Sequence, residues 1–314
     1  MRIGIDIMGG NFSPGAPIEG TLLARPELPP EAEIVLLGDR DIIGNYAREQ
    51  GLDLSFFEII HTDQYLHAGD HPLKSFSKAP NATIFLGQRL LKQKELDGFC
   101  SAGNTGAMLI GAMQITMPIP GLIRPAISAV IPNFKGPDSI ILDVGLNPDA
   151  RPDVLYQYGL LGSLYSRFVG QRDNPTVALL NIGEEEEKGS LVVKSTYQLM
   201  SGTEEFHFTG NIEANDLFVE NKADVVVCDG FVGNIVLKEA EAFYRLVSAR
   251  KVCNGYFEMF NFENFGGTPV LGVQAPLIIG HGISNDKAIK NMIIQTHKVI
   301  EAGLIEKIKI TMTN

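Results

Sequence analysis

Short β-branched and apolar runs that each stop at a glycine-rich turn constrain this chain more than any other feature. RIGID, EIVLLG from Glu33, GFCSAG from Gly98, TVALLN from Thr176, DVVVCDG from Asp224 and PLIIGHG from Pro276 read as strands, and segments of helical period follow most of them. Strand and helix in alternation mark an α/β fold with a mostly parallel sheet covered by helices. Asn81, Ser190 and Ser284 stand where helix N-caps are expected, ahead of ATIFLGQRLLKQ, LVVKSTYQLM and NDKAIKNMIIQTHKVI. One stretch breaks the alternation. AISAVIPNFKGPDSIILDVG, from Ala126, sets two apolar runs around a turn composition and predicts an inserted hairpin. The hairpin and the helix from Pro152 make 118–170 a candidate smaller lobe within a single domain over 1–314, since nothing resembles a domain linker.

Ligands of open parallel sheets bind outside the carboxyl ends of the strands, so the turns carry the functional information. They read Met8-Gly9-Gly10-Asn11, Ser101-Ala102-Gly103-Asn104-Thr105-Gly106, Asp143-Val144-Gly145-Leu146-Asn147, Asn181-Ile182-Gly183, Gly210-Asn211, Asp229-Gly230-Phe231-Val232-Gly233-Asn234 and Gly280-His281-Gly282. Glycine lets backbone N–H groups face a ligand, and a helix that follows adds free N–H groups with the positive end of its dipole. Asparagine adds a donor and an acceptor without charge. Such loops suit an anion.

Formal net charge is −11 and no long basic run occurs, which argues against a nucleic-acid partner. MRIGIDIMGG reads as strand and turn, not as an export signal, and no apolar run of about 18 residues suggests a membrane span. Cys100, Cys228 and Cys253 have no metal-ligand spacing and fit a reducing compartment. Cys100 and Cys228 end apolar strands and are expected to be small buried residues. No P-loop, dinucleotide fingerprint or nucleophile elbow stands at a strand end. That pattern points to chemistry in which the attacking group belongs to the substrate while the protein positions and polarises.

The ordered set IDIMGG, SAGNTGA, LDVGLN, LLNIGEEEEKGS, GNIE, DGFVGN, FGGTPVLG and HGIS resembles the bacterial phosphate acyltransferase family from the first residue to the last helix. The resemblance implies transfer of a long-chain acyl group from acyl-acyl carrier protein to inorganic phosphate, giving acyl phosphate for phosphatidic acid synthesis. It implies a three-layer α/β/α fold like that of isocitrate and isopropylmalate dehydrogenases, a homodimer, and no metal or nucleotide cofactor. A cytoplasmic enzyme at the inner face of the membrane, serving a membrane glycerol-3-phosphate acyltransferase, is also implied. Two departures stand out. Asn11 takes the place of an acid that the family usually carries after Met-Gly-Gly, and ARKVCNGYFEMFNFENFGG, from Ala249, is shorter than the family's basic and apolar extension. Its aromatics Tyr256, Phe257, Phe260, Phe262 and Phe265 suit an interface, a core or a dimer contact equally.

In the implied reaction a phosphate oxygen attacks the thioester carbonyl and a thiolate leaves, so the enzyme must hold two negative groups together. By the resemblance, Lys188 neutralises phosphate or the oxyanion, Asn234 and the amides near Gly233 bind the other oxygens, and Asp229 orients them. Gly10, Ser101, Gly103, Asn104, Thr105, Gly106, Asn147, Gly183, Asn211 and His281 are the further substrate- or phosphate-binding candidates. Of the acids at Glu184 to Glu187, most are expected to face solvent or to pair with basic side chains, leaving one lysine as the point of the motif. Lys74 and Lys78, or Arg245 and Arg250, are candidate docking points for the acidic carrier protein. Competing readings are a phosphotransacetylase that uses short acyl-coenzyme A, a dehydrogenase of related fold, and a non-catalytic phosphate-binding scaffold.

Overall fold

A computed structural model describes residues 1–252 and 255–313, so Cys253 lies outside the described residues. The strands among them are β1 (Arg2–Asp6), β2 (Glu33–Gly38), β3 (Glu58–His61), β4 (Gly98–Ser101), β5 (Ala126–Ile131), β6 (Ser139–Leu142), β7 (Thr176–Asn181), β8 (His207–Glu213), β9 (Val225–Val227), β10 (Gly267–Leu271) and β11 (Leu277–Gly280). The α-helices are α1 (Gly15–Ala24), α2 (Arg40–Gln50), α3 (Pro72–Lys78), α4 (Thr83–Lys92), α5 (Thr105–Gly111), α6 (Pro152–Phe168), α7 (Leu191–Met200), α8 (Gly230–Ala249), α9 (Asp286–Glu301) and α10 (Leu304–Thr313). Each strand expected from the sequence is present, and the fold is the three-layer α/β/α type.

Two compact units divide the chain. The first comprises Met1–Pro118 and Phe262–Glu301, the second Ile119–Asn261 and Ala302–Asn314. In the first, the strand order is β3-β2-β1-β4-β11-β10, parallel except for β10 against β11. Residues of β4 alternate between the two helical layers, as the period of a strand requires. Gly98 faces Thr296 and Ile300 of α9, while Phe99 faces α4, where Gly87 leaves room because an added Cβ would lie 2.2 Å from the ring. Phe85, Leu91, Phe99, Met108 and Leu277 belong to the core on that side.

In the second unit the order is β5-β6-β9-β7-β8, and the expected hairpin is the antiparallel pair β5–β6, with Ser128 opposite Leu142 and Ile131 opposite Ser139. β6, β9, β7 and β8 run parallel. Gly162 brings α6 close to Val225 of β9, where a Cβ would sit 2.4 Å from a valine methyl.

Of the expected caps, Ser190 accepts from the Val193 amide at 3.3 Å. Asn81 does not cap α4. Its Oδ1 accepts from Arg89 Nη2 at 2.9 Å, and Ala82 holds the cap position without a side-chain bond. Ser284 lies one residue too early. The Oδ1 of Asn285 accepts from the Ala288 amide at 3.0 Å and starts α9.

Candidate functional site

Each unit carries a buried aspartate at the end of a strand, and in both cases that carboxylate arranges the glycine turn after it. In the first unit Asp6 ends β1 level with Leu37 of β2, while its neighbour Ile5 lies level with Cys100 of β4. The Ser101 hydroxyl donates to Asp6 Oδ2 at 2.7 Å and accepts from the Gly103 amide at 2.9 Å. The Met8 amide donates to Asp6 Oδ1 at 3.0 Å. One carboxylate thereby ties together the turns at Met8–Gly10 and Ser101–Gly103. Gly9 is required there, because a Cβ would lie 2.5 Å from Asp6 Oδ2 and 2.8 Å from the Gly103 nitrogen.

Burial pushes the Asp6 carboxyl above its ordinary value, against the hydrogen bonds from Ser101, Thr83, Met8 and Gly9 that favour its charged form. A carboxyl raised in the native state lends stability when protonated and loses it as pH climbs from the unfolded value of 3.8 through the raised one. Asp6→Asn, which has no such proton to lose, is therefore expected to gain on the wild type as pH rises in chemical denaturation. Parallel stability profiles for the two proteins would contradict this.

The turns border a cavity of about 430 Å³. Gly10, Gly103, Asn104 and Gly282 line it together with Asn11, Tyr65 and His67. Asn104 is a bracket: its Oδ1 accepts from the Ala107 amide at 3.0 Å and caps α5, and its Nδ2 donates to the Asp70 carbonyl at 3.0 Å. Thr105 and Gly106 open α5. The Asn11 amide donates to the Gly282 carbonyl at 2.7 Å, and the His281 ring packs on Phe262 at 4.9 Å between centroids. Lys74 and Lys78 lie exposed on α3.

In the second unit the parallel strands finish together: Leu142 lies level with Val227, Val227 with Leu179, and Leu179 with Asn211. Asp143, fully buried, follows β6. It accepts the amides of Ile127 at 3.0 Å, Leu146 at 3.1 Å and Asn147 at 2.6 Å. Burial raises its pKa against those bonds. The turn so shaped receives the start of α8, since the Gly230 amide donates to the Asn147 carbonyl at 2.9 Å and Asn234 Nδ2 to the Val144 carbonyl at 3.1 Å. Asp229 is the N-cap of α8 and accepts from the Val232 amide at 2.8 Å. Gly233 donates its amide to the Asp229 carbonyl, so of the first four amides of α8 only that of Phe231 has no partner among the described residues.

Next to these ends lies the acidic turn. Asn181 donates from Nδ2 to the Lys188 carbonyl at 3.2 Å, and Asn211 Nδ2 to the Glu185 carbonyl at 3.0 Å. Gly189, at φ +89°, passes where a Cβ would meet Asn181 Oδ1 at 2.2 Å. Glu184 pairs with Lys222 at 2.9 Å, and Lys222 also holds Asp216 at 2.7 Å. Those two acids raise the Lys222 pKa and keep it charged. Glu185, Glu186 and Glu187 are exposed and form no ion pair among the described residues. The Lys188 stem crosses Gly183, with Cγ 3.0 Å from where a Cβ would be. Its amine has no hydrogen-bond or ionic partner among the described residues. A cation, an amide and a helix start are thus presented at one edge of this unit's sheet. Arg245 is exposed on α8, and Arg250 is exposed at its end.

Cys100 and Cys228 are buried as expected; burial pushes the Cys100 thiol up to about 12 and raises that of Cys228 as well. Both stay protonated and sealed, which removes them as nucleophiles. No group of three or more metal-ligating acid, histidine or cysteine side chains occurs among the described residues.

Fold and strand-end loops define an α/β protein of the three-layer class. A family profile described as "Fatty acid synthesis protein" matches residues 1–254. The chain is 37% identical to a phosphate acyltransferase of Dictyoglomus turgidum, covering 98% of this chain and 96% of that one. It is 36% identical to one of Listeria monocytogenes with the same coverage. Among solved structures it resembles a phosphotransacetylase from Streptococcus pyogenes, with a TM-score of 0.69, 17% identity, and 98% and 94% of the two chains covered. A branched-chain phosphotransacylase from Enterococcus faecalis gives 0.65 at 13% identity, over 96% and 99%. The chain belongs to the phosphate acyltransferase family and is an acyltransferase.

Proposed function

We propose that this acyltransferase moves a long-chain acyl group from acyl-acyl carrier protein to inorganic phosphate, releasing acyl phosphate for phosphatidic acid synthesis. The observation that carries the proposal is the partnerless ammonium of Lys188 on a turn held by Asn181 and Asn211, beside a helix start fastened through Asn234. A phosphate oxygen attacks the thioester carbonyl, the carbonyl electrons move onto oxygen, and collapse expels the thiolate. Phosphate is largely ionised at neutral pH and a thiol of pKa about 8.5 leaves without strong acid help, so no protein nucleophile is needed. Lys188 offsets the charge on phosphate or oxyanion. Asn234 and the Phe231 amide serve the remaining oxygens, and Asp229 acts by holding the helix start. Asn147, Gly183, Asn211 and Gly233 shape these turns, and Gly10, Ser101, Gly103, Asn104, Thr105, Gly106 and His281 shape the substrate-binding turns of the first unit.

The test is phosphate-dependent loss of palmitoyl-acyl carrier protein, with the product trapped by hydroxylamine. Turnover of acetyl-coenzyme A in its place would establish the phosphotransacetylase reading, and phosphate binding without turnover the scaffold.

Carrier protein docks, in this reading, on exposed cations. Lys74 and Lys78 in the first unit and Arg245 and Arg250 in the second have no ionic partner among the described residues, whereas Arg89 is engaged with Asn81. Charge reversal at Lys74 and Lys78, or at Arg245 and Arg250, is expected to raise KM for the carrier substrate about tenfold and to leave KM for phosphate within about twofold. Equal changes in both constants would refute docking at that pair. The reading extends to a homodimer working at the inner face of the membrane beside a glycerol-3-phosphate acyltransferase, with the chain 1–314 acting as one enzyme domain. No helix among the described residues is long and apolar enough to cross a membrane, so attachment there would be peripheral.

A further inference from the structure

We propose that Arg124 is the cation that holds the attacking phosphate, with Lys188 left to the oxyanion, an inference that rests on the acyl-transfer reading above. Arg124 lies just ahead of β5. Because β5 runs antiparallel to β6, that residue stands at the edge of the second unit where β6 finishes and Asp143 begins its turn. The backbone is clamped on both sides of it. The Ile123 amide donates to Gln157 Oε1 of α6 at 2.8 Å, and Gln157 Nε2 donates to the Gly121 carbonyl at 3.0 Å. On the other side the Pro125 carbonyl accepts from Asn147 Nδ2 at 2.7 Å. Asn147 also takes the Gly230 amide on its own carbonyl, so one residue couples the base of Arg124 to the start of the helix that carries Asn234.

The guanidinium itself is left over. Arg124 is exposed and has no hydrogen-bond or ionic partner among the described residues. Arg151, ahead of α6, is by contrast held by Asp153 through two bonds, at 3.2 and 2.8 Å. A fixed base under a free guanidinium suits a preformed anion site, because little remains to be ordered when the ligand arrives. The charge is felt inside the unit. It opposes the rise that burial, and next the Asp143 carboxylate, impose on the Tyr158 phenol, whose hydroxyl lies 3.4 Å from the Pro125 carbonyl.

Charge balance in the reaction calls for a second cation. Phosphate arrives negative, and its attack places a further charge on the thioester oxygen beside it. One ammonium cannot lie against both groups. The chain at Arg124 and the end of β7 are three strand spacings apart, about 14 Å, and α8 starts after β9 between them. Two cations on long, unbonded stems therefore flank the helix start from opposite sides. A guanidinium presents a planar fork that pairs with two phosphate oxygens, whereas a compact ammonium suits a single oxygen. Phosphate accordingly falls to Arg124 and the oxyanion to Lys188.

The experiment measures initial rates with palmitoyl-acyl carrier protein at varied phosphate in wild type and Arg124→Gln, and follows line broadening of inorganic phosphate by phosphorus NMR with each protein. KM for phosphate is expected to rise about tenfold to a hundredfold, the usual worth of hydrogen bonds to a charged group, while KM for the carrier substrate stays within about twofold. Arg124→Lys keeps the charge without the fork and should recover part of the loss; it carries both measurements if Arg124→Gln fails to fold. An unchanged KM for phosphate overturns the proposal. So does an equal or larger rise in KM for the carrier substrate, which would make Arg124 a docking residue. Should the wild type turn over no acyl-carrier substrate, the acyl-transfer reading fails and the NMR comparison alone decides the site. Broadening that Arg124→Gln loses then supports an anion site at Arg124, and equal broadening, or none with the wild type, overturns it.

Discussion

Lys188→Ala is expected to lower kcat by about 10²–10³, the usual cost of removing one preorganised stabiliser of a developing oxyanion. Folding should survive, because the side chain is exposed and its amine holds nothing in place. The turn is built by other atoms: Asn181 grips the Lys188 carbonyl, Asn211 grips that of Glu185, and Lys222 anchors Glu184. All of these persist when the side chain ends at Cβ. KM for the carrier substrate should change little, since a charge used mainly in the transition state is read in kcat. Lys188→Arg should recover only part of the loss, as a planar fork does not reproduce a compact ammonium. Raised salt should weaken the wild type more than the alanine variant, because an exposed cation is open to screening. A folded Lys188→Ala protein with normal kcat would remove this residue from the mechanism.

The acidic motif shows where sequence reasoning reaches and where it stops. That four glutamates cannot all face phosphate follows from charge alone, and the exposure of Glu185 to Glu187 agrees with it. The partner of Glu184 is Lys222, 38 residues away in the chain, and only the folded β7–β8–β9 layer brings the two together. Elements with strong patterns were legible, including the hairpin β5–β6. β3, β8 and β10 were not. β3 has no fully buried position, β8 mixes polar and apolar residues, and β10 contains Pro269, so none shows the apolar run that betrays a covered strand. Among site residues the two strand-ending aspartates were overlooked as structural centres. IDIMGG and ILDVGLN each place an acid in an apolar strand directly before a glycine turn, and burial there demands several N–H partners. Asn81 misled because its side chain has a better partner in Arg89 than in the helix it precedes.

Gly233→Ala should be the most disruptive single methyl in the second unit. In an open helix the exchange would stabilise by up to about 1 kcal/mol through propensity. Here an added Cβ would lie 2.0 Å from the Asp143 carbonyl oxygen and 3.0 Å from Cys228 Sγ. The obstacle is backbone at the end of a buried strand, so no side-chain rotation clears it, and α8 must move away from β6. Overpacking of this kind costs about 3 kcal/mol at its upper range, which outweighs the propensity gain and is a large part of the stability of an ordinary domain. The movement would also break the bonds from Gly230 to Asn147 and from Asn234 to Val144, which place the helix start. Activity should therefore fall further than the folded fraction does. Gly44→Ala in α2, where an added methyl has nothing within 4 Å, is the matched control and should hold or raise the melting temperature. If both variants melted alike and turned over alike, the close approach of α8 to Asp143 would have no energetic weight. Neither Asp143 nor Gly233 could then be said to position Asn234.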